Sequence, residues 1–249
     1  MCKIVGIYGK KLGDRSVHPI QSYNSVKIKN RNLSFTSRAI FCQKPQFVVI
    51  AIMREQVLAW LAENVPPSRI NHILRVEQMA TELAVHYQLE DVTKAAISGL
   101  MHDLAKYFPP QKLLSIARKE GLEVDYVMEA APHLLHADVS AIVARDTFGV
   151  EDEEVLQAIA NHTLGRPGMS LLSCIVFVAD SLEPGRGDTP ELENLRVISR
   201  ENIYQAVWKT SDYSLKFLIE SSCLIHPRTI ATRNWFLQKS KSKQPTVRY

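Results

Sequence analysis

From Met53 onward, apolar residues recur at the spacing of an amphipathic helix, and the breaks between segments carry helix-starting and helix-ending residues. Val57, Leu58 and Leu61 share one face of the first segment. The run Pro66–Pro67–Ser68 then provides a break and a start signal for a second segment at about Arg69–Tyr87. Strand signals are almost absent. The sequence therefore predicts an all-α domain.

The later breaks divide the rest of the chain into further helices. Glycines close two of them, and proline, serine, threonine or aspartate opens most of the others. The predicted helices run from a cap at Asp91 to Pro109–Pro110, then over Gln111–Glu120, Ala137–Phe148, Asp152–Thr163, Ser170–Leu182, from Thr189–Pro190 onward, Asn202–Ser222 and Thr229–Lys239.

The first 52 residues differ from this pattern, because they lack a hydrophobic period and carry nine Lys and Arg against one acidic residue, Asp14. The whole chain has a formal charge of +4, so the remainder is net acidic and does not resemble a nucleic-acid groove. Three interpretations stay open: a disordered basic arm, an organelle-type leader, and sequence upstream of a physiological start at Met53. We favour the last, since an amphipathic helix opens at Met53. The expected division is extension 1–52, helical domain 53–239 and polar tail 240–249.

The longest apolar run, Phe47–Met53, is far shorter than the roughly 18 residues that span a membrane. The four cysteines are scattered and form no C-x-x-C pair, which disfavours a thiolate zinc site. We therefore expect a cytoplasmic protein without a membrane span.

Six polar side chains that can bind metals lie on apolar helix faces or at helix ends. His72 recurs with Val76 and Met79, and Asp180 lies in an apolar segment where an unpaired carboxylate would be costly to bury. One inward histidine is more often a hydrogen-bonded core residue than a ligand. Six such residues from different helices need a shared explanation, and a cation provides one: His72, His102, Asp103, His136, His162 and Asp180.

Imidazole and carboxylate without thiolate suit iron, manganese, zinc, nickel or cobalt. Six ligands exceed the needs of one tetrahedral zinc, but they suffice for two ions about 3.5–4 Å apart if one carboxylate bridges them. Such a pair makes a metal-bound hydroxide available near neutral pH, and this hydroxide can attack phosphorus in line.

The order of these residues resembles the HD-domain metal phosphohydrolases, an all-helical superfamily named for its adjacent His–Asp pair. Six blocks over roughly Arg54–Leu237 are similar to the bacterial YqeK family: "HILRV", "GLMHDLAKYF", "LLHADVSA", "NHTLGRPGMS", "FVADSLEPGR" and "IHPRTIATRNW". The resemblance implies an HD-domain helical bundle, a di-iron site held by the six residues, and symmetrical hydrolysis of diadenosine tetraphosphate to two ADP. It favours His136 over its neighbour His133 as the ligand. Manganese, cobalt or nickel would also suit the ligand set.

A tetraphosphate needs positive charge beyond the metals. Lys106 follows His102 by four residues, and we expect it to act in catalysis beside His102 and Asp103. Arg166 and Arg186 follow two of the ligands, and Arg69 precedes His72 by three residues. We expect these three and Lys106 to bind substrate phosphates. A surface charge or a loop anchor is the simpler interpretation of each arginine, and the roles of His226 and Arg228 stay open.

Two other functions compete with this interpretation. Another HD activity, such as a phosphodiesterase or a nucleotide phosphatase, fits the same ligands. A catalytically silent module that binds nucleotide or a partner would be expected to lack a ligand, and all six are present. The expected partner is a small dinucleoside polyphosphate, with no nucleic acid and no membrane, and a homodimer remains open.

Overall fold

The computed structural model describes residues 44–241, with side chains from residue 51 onward. Expectations for residues 1–43 and 242–249 lie outside these bounds. Within the described range the chain forms helices without strands, as predicted for an all-α fold. The α-helices are α1 (Lys44–Asn64), α2 (Pro67–His86), α3 (Val92–Met101), α4 (Pro110–Lys119), α5 (Tyr126–Ala130), α6 (His136–Phe148), α7 (Glu153–Asn161), α8 (Leu171–Leu182), α9 (Pro190–Glu201), α10 (Ile203–Glu220) and α11 (Pro227–Lys241).

The predicted helix starts are formed by side-chain caps. Asp91 accepts a hydrogen bond from the backbone N–H of Thr93, and Asp152 accepts bonds from the first turn of α7. Ser170 and Thr189 cap α8 and α9 in the same way. Each cap satisfies backbone donors that have no partner inside the helix, so these short polar residues fix where the helices begin.

The helix predicted to continue to Pro109–Pro110 ends earlier, and this part of the prediction is wrong. α3 stops at Met101, and His102 and Asp103 lie in the tight turns that follow. The ring of His102 donates to the carbonyl oxygen of Gly99, at 2.6 Å between Nδ1 and O. A side chain that occupies a helix carbonyl competes with the backbone ladder, which explains the early end.

The hydrophobic core is built around α8, which is buried on nearly every side. α8 packs against α2, α3, α7 and α10, so residues on these helices share one apolar interior. A smaller cluster joins α4 to α6 and contains Ala105, which follows the His–Asp pair. A short 3-10 turn, Pro132–Leu135, leads directly into α6 and was not predicted.

Two helices extend past the expected domain limits. α1 begins at Lys44 rather than at Met53, and α11 continues to Lys241 rather than ending at Lys239. None of the helices in the described range is both long and apolar enough to cross a membrane.

Candidate metal centre

The close approach of α2 and α3 brings the first two histidines together. A Cβ atom on Gly99 would lie 2.9 Å from the Cα of Glu77, so only glycine permits this contact between the helices. His72 on α2 and His102 after α3 consequently face each other, with their Nε2 atoms 3.3 Å apart.

Three of the four candidate ligand histidines follow the last residue of a helix. His102, His136 and His162 follow α3, the 3-10 turn and α7, respectively. Each ring Nδ1 lies 2.6–2.8 Å from a backbone carbonyl three residues earlier, on Gly99, His133 and Ile159. A carbonyl oxygen only accepts, so each Nδ1 carries the proton and each Nε2 presents a lone pair. Carbonyls at helix ends thus orient these three rings, and those of His133 and Ile159 also accept the backbone N–H of the same histidine.

His72 is oriented differently, by a carboxylate that the sequence analysis missed. Its Nδ1 lies 2.9 Å from Oε1 of Glu183, which is 1% exposed. Arg75 donates to the same carboxylate, and the backbone N–H of Gly185 donates at 2.5 Å. Although burial opposes it, bonds to His72 and Arg75 lower the pKa of Glu183 to about 2, so Glu183 is ionised and accepts the His72 proton.

One half of the cluster consists of His72, His102, Asp180 and one oxygen of Asp103. Nε2 of His72 lies 3.0 Å from Oδ1 of Asp180 and 3.8 Å from Oδ2 of Asp103. Nε2 of His102 lies 3.7 Å and 3.4 Å from the same two oxygens. We call these four residues the arginine-side half, because Arg69 and Arg186 contact its carboxylates.

The other half consists of His136, His162 and the second oxygen of Asp103. Their Nε2 atoms lie 3.3 Å and 3.7 Å from Oδ1 of Asp103, and 3.1 Å from each other. Lys106 Nζ and Thr163 Oγ1 lie 3.1 Å and 3.2 Å from Nε2 of His136. We call His136, His162 and this Asp103 oxygen the lysine-side half.

Asp103 connects the two halves, since each carboxylate oxygen faces a different pair of histidines. Its Oδ1 is buried without a hydrogen-bond partner in the described chain. Burial favours protonation of this carboxyl, but His102 and Lys106 outweigh it and hold the pKa of Asp103 well below its usual range. An ionised, buried oxygen facing two imidazole lone pairs is costly unless a cation lies among them.

The distances between donor atoms fit metal coordination. Two ligands each about 2.1 Å from one ion, at angles of 90–110°, are about 3.0–3.4 Å apart. The two His–His separations of 3.3 Å and 3.1 Å and the His72–Asp180 separation of 3.0 Å fall in this range. The donors are nitrogen and oxygen without thiolate, a set typical of iron, manganese, cobalt, nickel or zinc. The cluster therefore fits divalent metal ions.

The electrostatics favour forms that can bind a cation. Burial and the nearby Lys106 lower the pKa of His136 to about 3, so this ring is neutral at physiological pH. Burial opposes ionisation of Asp180, but Arg186 and His72 hold its pKa well below the usual value. Burial lowers the pKa of Lys106, which Asp103 and Asp180 partly offset. Neutral imidazoles and ionised carboxylates are the forms that coordinate metal.

The four predicted phosphate-binding residues divide into two groups. Arg69 Nη1 donates to Asp103 at 3.0 Å, Arg186 Nη2 donates to Asp180 at 2.5 Å, and Lys106 lies beside His136. Arg166 is exposed and donates to Gln157 at 2.9 Å, away from these contacts. Three of the candidates thus lie at the cluster, and the structure does not bring Arg166 to it.

Three residues outside the proposed ligand set contact the segments around the cluster: His133, His226 and Arg228. The carbonyl of His133 accepts from His136, while its own ring Nε2 is buried without a hydrogen-bond partner in the described chain. His226 Nε2 lies 3.0 Å from Oδ2 of Asp125, and Arg228 Nη2 donates to Asp138 at 3.2 Å. These contacts connect the start of α11 to α5 and α6, which favours a structural clamp for this segment.

Comparison with known proteins agrees with the HD-domain resemblance of the sequence. The HD domain family matches residues 69–185. The symmetrical bis(5'-nucleosyl)-tetraphosphatase of Bacillus subtilis is 33% identical over 75% of this chain and 99% of its own length. The symmetrical bis(5'-nucleosyl)-tetraphosphatase of Halalkalibacterium halodurans is 34% identical over 76% of this chain and 99% of its own length.

A solved structure agrees with these relatives. It is titled a predicted HD superfamily hydrolase involved in NAD metabolism, from Clostridium acetobutylicum. It matches with a TM-score of 0.71 and 36% identity, over 74% of this chain and 97% of that chain. The chain is thus an HD-domain hydrolase and belongs to the YqeK-type family of symmetrical bis(5'-nucleosyl)-tetraphosphatases.

Proposed function

We propose that this chain hydrolyses diadenosine tetraphosphate symmetrically, using two metal ions held by His72, His102, Asp103, His136, His162 and Asp180. The observation that carries the proposal is the position of Asp103, whose two oxygens face separate histidine pairs at 3.3–3.8 Å. A carboxylate in this position suits a bridge between two ions. The names of the relatives support the substrate and the symmetrical cleavage.

The proposed reaction adds one water across the central P–O–P anhydride and yields two ADP. The ions would activate the water and neutralise charge that develops on the phosphoryl oxygens. Iron is the metal we propose, on the family resemblance, and the imidazole and carboxylate ligands would also suit manganese, cobalt or nickel. The water forms a bond to one central phosphorus and the P–O bond to the other half breaks, so one ADP leaves; it is a good leaving group and needs little acid assistance.

The chain's own residues orient the ligands and balance charge. Arg69 and Arg186 each contact a ligand carboxylate, so they hold Asp103 and Asp180 in place. Lys106 lies at the edge of the lysine-side half, where its ammonium group could donate to a phosphoryl oxygen. We propose Lys106 as the principal contact for the scissile phosphates, with Arg69 and Arg186 beside it.

The product pattern tests this proposal. Purified protein, loaded anaerobically with Fe²⁺ or aerobically with Mn²⁺, is incubated with diadenosine tetraphosphate, and the products are separated by chromatography. We expect ADP alone and, in ¹⁸O-water, one labelled oxygen for every two ADP formed. Release of AMP with ATP, or no product at all, would contradict the proposal.

Variants test whether the activity depends on the metal site, and alternative substrates separate it from other HD activities. Asp103→Asn should abolish turnover, while Glu77→Gln should retain it, because Glu77 pairs with Arg54 and contacts no ligand. A cyclic dinucleotide and a nucleoside monophosphate should be poor substrates. Faster turnover of either would favour a phosphodiesterase or a nucleotide phosphatase. The cytoplasmic location, the homodimer and the lack of nucleic-acid binding remain predictions.

A further inference from the structure

The four histidines of the cluster are not held in the same way. Three donate their Nδ1 proton to neutral backbone carbonyls, whereas His72 donates to the ionised carboxylate of Glu183. A carboxylate acceptor makes the imidazole a more basic ligand than a carbonyl acceptor does. The His72 lone pair should therefore bind a cation more strongly than the other three.

Glu183 is itself fixed by its surroundings. It caps the turn after α8 by accepting from the backbone N–H of Gly185 at 2.5 Å, and the Arg75 guanidinium pairs with both of its oxygens. A Cβ on Gly185 would overlap the Arg75 guanidinium, so a glycine at this position lets Arg75 lie over the turn. Buried and bonded on three sides, Glu183 has one position in which to meet His72.

The two halves also differ in the carboxylate oxygens that they offer to a cation. The arginine-side half contains all of Asp180 and shares Asp103, and Glu183 lies directly behind His72. The lysine-side half shares Asp103 alone, and the Lys106 ammonium lies 3.1 Å from one of its two nitrogens. Arg69, Arg186 and Arg75 place positive charge beside the arginine-side carboxylates as well, so the difference lies in the donors: the arginine-side half offers a cation two carboxylate oxygens, and the lysine-side half offers one.

From these contacts we infer that Glu183 is a positioning residue for His72, and that it makes the arginine-side half the tighter of two metal positions. Filling is then ordered, with the lysine-side half occupied second. This inference rests on the proposed two-ion site, and it adds which ion is held firmly and which residue outside the ligand set is responsible.

Metal titration tests the inference without relying on turnover. Metal-free protein is titrated with Co²⁺ by calorimetry and by the visible absorption of the bound ion. Glu183→Gln keeps an acceptor for the His72 proton but removes the charge, and Glu183→Ala removes both. Glu77→Gln is the matched control, because it also removes a carboxylate paired with an arginine and contacts no ligand.

We expect two binding steps in the wild type and in Glu77→Gln. Glu183→Gln should weaken the tight step about tenfold and Glu183→Ala about 100-fold, the range measured for outer partners of metal ligands. The weak step should stay within about twofold. In His162→Ala only the tight step should remain, which assigns it to the arginine-side half.

Other results would overturn the inference. If the Glu183 variants weaken both steps alike, or weaken neither, Glu183 has no specific role at His72. Thermal melts of the metal-free variants show whether equal weakening reflects lost folding. A wild type that binds one ion would contradict the two-ion site, and the response of that ion to Glu183→Gln would decide the role of Glu183 separately.

Discussion

Each half of the cluster contains two imidazoles, but the residues that surround these imidazoles differ between the halves. On the arginine side, carboxylates from α8 and its following turn meet His72, and arginines balance their charge. On the lysine side, two imidazoles and one carboxylate oxygen face Lys106 and Thr163. On the proposed two-ion site, this difference would let the arginine-side half retain its ion while the lysine-side half contacts a phosphate.

The largest effect should come from the residue that both halves share. Asp103→Asn removes the negative charge that faces all four imidazoles, so neither half should hold an ion well. Metal catalysis contributes several kcal/mol, and each 1.4 kcal/mol is tenfold in rate, so kcat/KM should fall about 10³-fold or more. Metal analysis of the purified variant should show fewer than one ion per chain. Two ions bound with normal affinity would contradict the bridging position.

Removing one ligand from each half should have unequal consequences for metal content. His162→Ala should keep one firmly bound ion, whereas His72→Ala should lose the tight step and bind both ions weakly. Activity should fall about 100-fold or more in each, because half of the charge stabilisation is lost. Cobalt titration beside steady-state kinetics measures both quantities. Identical titrations of the two variants would show that the halves are equivalent.

A smaller effect is expected from two basic side chains, of which Lys106 lies at the site and Arg166 lies away from it. Lys106→Met removes a charge-assisted hydrogen bond to phosphate worth about 1.5–3 kcal/mol, so kcat/KM should fall about 10- to 100-fold. Arg166→Met loses a contact with Gln157 on the surface and should stay within about twofold. Steady-state assays over a range of substrate concentrations check both. A strong loss in Arg166→Met would place the substrate over α7 instead.

The smallest effect should appear at Gly185. In Gly185→Ala the new methyl group displaces the end of the Arg75 side chain, which can turn toward solvent. Glu183 then keeps His72 but loses one partner, so the tight cobalt step should weaken by about two- to fivefold, a fraction of the effect of losing Glu183 itself. A change as large as that of Glu183→Ala would show that Arg75, and not the carboxylate, dominates this network.

Much of the fold follows from local chemistry. Asp91, Asp152, Ser170 and Thr189 were predicted to begin helices, and each caps one, because capping involves only neighbouring residues. The end of α3 was predicted wrongly. Apolar periodicity continues past Met101, but the His102 ring bonds to the Gly99 carbonyl three residues earlier, a local side-chain contact that periodicity does not report.

The candidate ligands were also accessible from sequence, since buried histidines and aspartates without partners are unusual. The division of these residues into two halves could not be predicted from the sequence, because it depends on which Asp103 oxygen faces which helix. Glu183 carried a signal that went unused: it is a carboxylate three residues after Asp180, at the end of an apolar helix. Its partner His72 lies 111 residues away, and only the packing of α2 against α8 identifies it.

The measurement that tests the account most directly is anomalous X-ray scattering from crystals of the metal-loaded protein. The account predicts two peaks about 3.5–4 Å apart, one within bonding distance of each Asp103 oxygen. One peak should contact His72, His102 and Asp180, and the other His136 and His162. A single peak, or two peaks that Asp103 does not join, would contradict the shared carboxylate and the division into halves.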